Sequence, residues 1–139
     1  MTTDKSIDIL SRTIYGEARG ESLKGMEAIA SVVLNRVIFS QKKGKYWWGN
    51  DVVEVCKKPW QFSCWNENDP NSGLVKRVDE KDEIFCICKR IASRAINGML
   101  EDATNGATHY HTKKITPAWS IGKIPCASIG SHVFYNDIE

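Results

Sequence analysis

Apolar residues recur at helical spacing over three stretches of the chain. From Leu23 to Phe39, the residues Met26, Ile29, Ala30, Val33, Leu34 and Val37 fall on one stripe, which predicts a long amphipathic helix with Ser22 as its N-cap. A shorter helix is predicted over Asp4–Tyr15, with Ile7, Leu10, Ile14 and Tyr15 on one side and Asp4 or Ser6 as its cap. Gly16 reads as its stop, because glycine tolerates the left-handed conformation that ends helices. The third long helix is expected over Asp79–Asn97, on a stripe of Ile84, Phe85, Ile87, Cys88, Ile91, Ala92, Ala95 and Ile96. Acidic residues crowd its first turns, and Lys89, Arg90 and Arg94 its last, which suits the helix dipole; Gly98 lies just past the end.

Between these stretches the pattern is shorter. Ser40–Asn50 reads as a loop, and Asp51–Cys56 as a short helix capped by Asp51 and stopped by Pro59. Asn66–Ser72 is a loop by composition, and Leu74–Val78 a connector. From Ala107 the period changes. Ala107–Thr112 and Ser131–Tyr135 are short β-rich runs, read as an antiparallel pair joined by a long loop that carries Trp119. The expectation is a mainly α (α+β) chain: a helical domain with a small β-hairpin near the C-terminus.

Composition narrows the function classes. At 139 residues the length prior is one domain, and 42% hydrophobic with 26% charged residues is ordinary for a globular protein. A net charge of +2 is too weak for a dedicated nucleic-acid surface, so no nucleic-acid partner is expected. No run of about 18 apolar residues is present, so no stable membrane association is expected either. The first residues lack a charged start followed by an apolar core, which predicts synthesis in the cytoplasm without a signal peptide. Five cysteines, an odd number, argue for reduced thiols rather than a complete disulfide framework.

The candidate chemistry centres on Ile14–Glu21, where Glu17 stands between Gly16 and Gly20. After a helix stop at Gly16, Glu17 would face the negative end of a helix dipole, and this with apolar neighbours would push its pKa up. A carboxylic acid held protonated near neutral pH can protonate a leaving oxygen. An Arg19–Glu17 pair would push the pKa down instead; Glu21 competes for the same arginine, and Arg19–Glu21 is the favoured pair. The alternative is that both glutamates are solvated linker residues.

Tyr15-Gly16-Glu17-Ala18-Arg19-Gly20-Glu21, then Gly25 and Ala28 to Val37, resembles the SleB/CwlJ-type cell wall hydrolases, the spore-cortex-lytic and phage-borne peptidoglycan hydrolases. The resemblance implies a lysozyme-like helical fold related to the lytic transglycosylases, a single catalytic domain over 1–139, and one catalytic glutamate that falls on Glu17. Gln61-Phe62-Ser63 is similar to a family element that lines the sugar groove. The resemblance resumes at Tyr110, at Trp119 and at Ile129-Gly130-Ser131-His132-Val133-Phe134; it departs at His109, at His111 and at Thr112-Lys113. Expected substrate contacts are therefore Gln61, Phe62, Ser63, Tyr110, His111, Trp119 and His132. The implied partner is the glycan strand of peptidoglycan; without an export signal, a wall hydrolase is expected to reach it by phage-type lysis, and a monomer with no cofactor is expected.

Read from the residues alone, other chemistries stay open. Trp60, Phe62 and Trp65 serve either as sugar-stacking faces or as core packing. Strand alternation puts His109 and His111 on one face, and with His132 they could form a three-nitrogen metal site; surface or structural histidines are favoured, and no metal is expected. Cys64 or Cys126 with a histidine would make a thiol peptidase or amidase acting on the stem peptide, although neither cysteine has the helix N-terminus that favours a thiolate. A non-catalytic peptidoglycan-binding module is a further alternative. A two-carboxylate glycosidase needs a second acid about 5–9.5 Å from the first. Asp51, Glu54, Glu67 and Asp69 are candidates in poorly matched segments, which favours a lytic transglycosylase, whose single glutamate acts as acid and then as base.

Overall fold

The computed structural model describes residues 2–59 and 61–138; Trp60 lies outside the described residues. Five α-helices come first: α1 (Thr2–Ala18), α2 (Leu23–Lys43), α3 (Val52–Lys57), α4 (Ser72–Arg77) and α5 (Glu83–Ile96). A 3-10 turn at Ser63–Trp65 separates α3 from α4, and another at Ala118–Ser120 lies within the C-terminal region. Three short strands follow α5: β1 (His109–Thr112), β2 (Ala127–Ile129) and β3 (His132–Tyr135).

The caps predicted for α2 and α3 form as expected, whereas Asp4 and Ser6, the caps predicted for the first helix, lie inside α1, which begins at Thr2. Ser22 accepts from the Gly25 amide at the start of α2, and Asp51 from Glu54 at the start of α3. Other readings differ. α1 continues through Gly16 to Ala18. α2 runs past Phe39 to Lys43 and is closed by Gly44 at φ 87°. α5 begins at Glu83, because Asp82 accepts from the amides of Ile84 and Phe85 and so caps it. Residues 72–77 form a helix rather than a connector. The hairpin is also one strand short of the truth: β3 pairs antiparallel with β1 on one side and β2 on the other. Three-residue β2 is too short for its alternation to be read against its loop.

The larger core cluster joins α1, α2, α3 and α5. Ile9, Leu10 and Ile14 of α1 meet Ile29, Ala30 and Val33 of α2, Val55 of α3 and Phe85, Cys88 and Ile91 of α5. α2 also has a second buried face. Ala28 and Val32 pack with Ala107 and Phe134, which docks the sheet against the helices. The last turn of α1 therefore lies between the turn at 63–65 and the inner face of the sheet.

Candidate active site

Glu17 occupies the last turn of α1, half-buried. Gly16 is the reason that turn can be approached. A Cβ there would stand 2.5 Å from Cys64 Cβ, 2.7 Å from its Sγ and 2.8 Å from Val75 Cγ2, closer than any real contact. With only hydrogen on Gly16, the 63–65 turn settles onto the helix. Trp65 Nε1 donates to Thr13 Oγ1 at 2.9 Å, which pins the same turn further up α1. The result is that the Cys64 backbone N–H donates to Glu17 Oε2 at 3.2 Å.

The other donor comes from the sheet. Tyr110 Oη donates to Glu17 Oε1 at 2.5 Å. Its ring lies between Phe62 and Phe134, with centroids 6.5 and 5.9 Å away, and meets His132 edge-on at 5.1 Å. Burial and the neighbouring Glu17 charge push the Tyr110 pKa well above 10, so the phenol keeps the proton it donates. Among the described residues no cation pairs with Glu17.

Arg19 and Glu21 do not pair with each other. Arg19 Nη2 donates to Asn71 Oδ1 at 2.7 Å, and its guanidinium lies over the Tyr15 ring. Glu21 Oε1 accepts from the Ser131 backbone N–H at 2.9 Å, with His132 Nδ1 at 3.8 Å. That amide holds the Glu21 pKa below the usual carboxylate range. Because α1 extends to Ala18, Arg19 lies at a helix end rather than in a free linker, and it finds the nearer amide of Asn71.

The expected substrate contacts divide. Ser63 is exposed beside Glu17's backbone donor. Phe62 is 1% exposed, so it is core under Tyr110 and not a stacking face. Gln61 spends its amide internally: Nε2 donates to Trp48 O and Val55 O, and Oε1 accepts from Arg36. His132 is 4% exposed and lies behind Tyr110, out of reach of a glycan. The register explains the rest. Tyr110 opposes Phe134 and Thr112 opposes His132, so Tyr110 and His132 share the face toward Glu17. His109 and His111 oppose Tyr135 and Val133 on the other face, where Trp119 packs against both histidines and Tyr135. His111 and Trp119 are thus separated from Glu17 by the sheet.

The same register answers the metal arrangement: His132 points away from the other two histidines, and His111 has both nitrogens engaged, by Thr112 O and Tyr135 Oη. The thiols are poor nucleophiles. Burial and Glu17 push the Cys64 pKa far up, and burial raises Cys126, whose Sγ donates to Thr104 O. Of the second-acid candidates, Asp51, Glu54 and Asp69 each accept from a nearby backbone amide, and Glu67 is exposed. Sequence reasoning missed the Cys64 amide and the buried Arg36; a lone arginine inside the apolar run of α2 was the readable signal for the second.

A family model described as Cell Wall Hydrolase matches residues 20–135, a stretch that begins just beyond Glu17. The spore cortex-lytic enzyme of Halalkalibacterium halodurans is 28% identical over 96% of this chain and 36% of its own length. That of Bacillus subtilis is 28% identical over 95% of this chain and 38% of its own. The chain spans less than half the length of these relatives. Among solved structures, the catalytic domain of the Bacillus cereus SleB protein matches with TM-score 0.73 at 27% identity, covering 94% of this chain and 89% of that one. The catalytic domain of the germination-specific lytic transglycosylase SleB from Bacillus anthracis matches with TM-score 0.71 at 28% identity, covering 93% and 92%. The expected helical fold with a small sheet is the fold of these domains.

Proposed function

The chain belongs to the Cell Wall Hydrolase family, and from that premise we propose that it is a peptidoglycan glycosidase: a catalytic domain that cleaves the β-1,4 bond between N-acetylmuramic acid and N-acetylglucosamine as a lytic transglycosylase, with Glu17 as its acid and base. One observation carries this reading. Glu17 is a half-buried carboxyl with no cationic partner among the described residues, aimed by two fixed donors, Tyr110 Oη and the Cys64 amide.

Tyr110 anchors Oε1 tightly, while the longer 3.2 Å contact leaves Oε2 the freer oxygen to pass a proton. Glu17 gives its proton to the glycosidic oxygen as the C1–O bond breaks. The carboxylate then takes the proton of the muramoyl C6 hydroxyl, whose oxygen closes on C1. A 1,6-anhydro ring forms and no water is consumed, so no second carboxylate has to activate one. The name of one solved relative, a lytic transglycosylase, supports this route over hydrolysis. We take the substrate to be a wall glycan strand, met by a monomer after lytic release.

Mass spectrometry of digested sacculi tests the reading. Anhydro-muropeptides are expected, and Glu17→Gln should lower their release by at least about 10²-fold while the fold persists. Reducing ends would make the protein a muramidase, new amino termini on intact glycan an amidase, and undiminished turnover by Glu17→Gln would remove Glu17 from the chemistry.

A further inference from the structure

Arg36 lies in the middle of α2 and is 7% exposed. A buried guanidinium is costly unless its charge and donors are met. Its Nε donates to Thr108 O at 2.7 Å and its Nη1 to Gln61 Oε1. The rings of Trp48 and Phe62 stand 5.1 and 5.3 Å from its Cζ. Burial lowers its pKa to about 10, so it remains a cation at neutral pH. Among the described residues no carboxylate pairs with it and Nη2 has no acceptor.

Beside this cation lies a cavity of about 340 Å³, lined by Arg36, Trp47, Gln61, His109, Tyr110 and Trp119. Its polar groups are mainly donors. Indole N–H bonds occur at Trp48 and Trp65 but not at Trp47 or Trp119 among the described residues. His109 is neutral, its pKa lowered to about 4 by burial and by Arg36, and Nδ1 meets Thr108 Oγ1 at 3.0 Å. The one carboxamide oxygen on the wall, that of Gln61, is taken by Arg36.

We propose that this cavity is an anion subsite that takes a single carboxylate, held by Arg36 Nη2 and the free indole donors, with the Trp47 and Trp119 rings against the group that bears it. One guanidinium, with no other cation among the described lining residues, suits a monoanion better than a doubly charged phosphate. Tyr110 touches both places, since it borders the cavity and holds Glu17. The source of the carboxylate rests on the peptidoglycan reading; the existence of the subsite does not. Peptidoglycan offers two sources: the lactyl carboxylate of a muramic residue freed of its peptide, and the carboxylates of the stem peptide.

The test is an NMR titration of the whole chain, reading the indole N–H signals of Trp47 and Trp119 and the Arg36 Nε–H. The probes are N-acetylmuramic acid, its methyl ester, N-acetylglucosamine and the dipeptide L-Ala-D-Glu. Saturable shifts at these three groups with the muramic acid are expected if the lactyl group is the source, and with the dipeptide if the stem is. Esterification should weaken the muramic probe at least about ten-fold. Trp119→Phe keeps the ring and removes a donor, and should weaken the acid several-fold. Equal binding of acid and ester, or shifts confined to other parts of the chain, would overturn the subsite. Sacculus digestion on the same preparation separates the two readings. Turnover with ester-indifferent binding removes the subsite alone, and carboxylate-dependent binding without turnover removes the glycosidase alone.

Discussion

At the level of single residues, the site depends on how Glu17 is held. Its oxygens have one side-chain donor and one backbone donor, and only the first can be removed by mutation. Tyr110→Phe deletes the hydroxyl and leaves the ring in its slot between Phe62 and Phe134. A hydrogen bond to a charged group contributes about 1.5–3 kcal/mol, which corresponds to roughly ten- to a hundred-fold in rate. The loss is expected in kcat more than in KM, because Tyr110 Oη bonds Glu17, the proposed acid. Steady-state kinetics on soluble glycan fragments reads the split; an unchanged kcat would show that the Cys64 amide alone positions Glu17. Glu17 was legible as a candidate acid from its motif. Its donors were not: one is a main-chain N–H, and the other was expected to contact substrate.

At the level of elements, the last turn of α1 and the 63–65 turn form one unit. Gly16 is in a helix interior, where alanine would ordinarily gain about 1 kcal/mol. Here a methyl group would overlap Cys64 and Val75, and overpacking of that kind costs about 1–3 kcal/mol. The clash should win. Gly16→Ala is expected to lower the melting temperature and, by displacing the Cys64 amide, to reduce turnover as well. A melting temperature equal to or above wild type would show that the turn can move aside freely. The same position explains a misreading: a glycine at a motif boundary looks like a helix stop, whereas its function is to admit another segment. The predicted helices over Leu23–Phe39 and Asp79–Asn97 were legible because their stripes are long and their caps conventional. β2 was not, because three residues carry no period.

Across the whole molecule, burial of neutral imidazoles ties stability to pH. Burial lowers the His109 pKa to about 4 and also lowers that of His132, against an ordinary value near 6.5 in the unfolded chain. A depressed folded-state pKa stabilises the fold above the unfolded value, and the contribution is lost as pH falls toward the folded one. Glu21, held low by the Ser131 amide, acts in the same direction at more acid pH. The melting temperature is therefore expected to fall from about pH 7 toward pH 4, and His109→Gln should flatten that limb; an identical slope in the variant would place the effect elsewhere. The sequence by itself determined the three long helices, the caps of α2 and α3, the helix-to-strand change near Ala107 and the candidate acid, because these depend on local periodicity and short motifs. Only the tertiary structure decided what surrounds that acid. Strand register sends Tyr110 and His132 toward Glu17 and turns His111 and Trp119 away, and a close approach at Gly16 supplies the second donor. Both follow from contacts between segments far apart in the chain, whose relative placement no local pattern encodes.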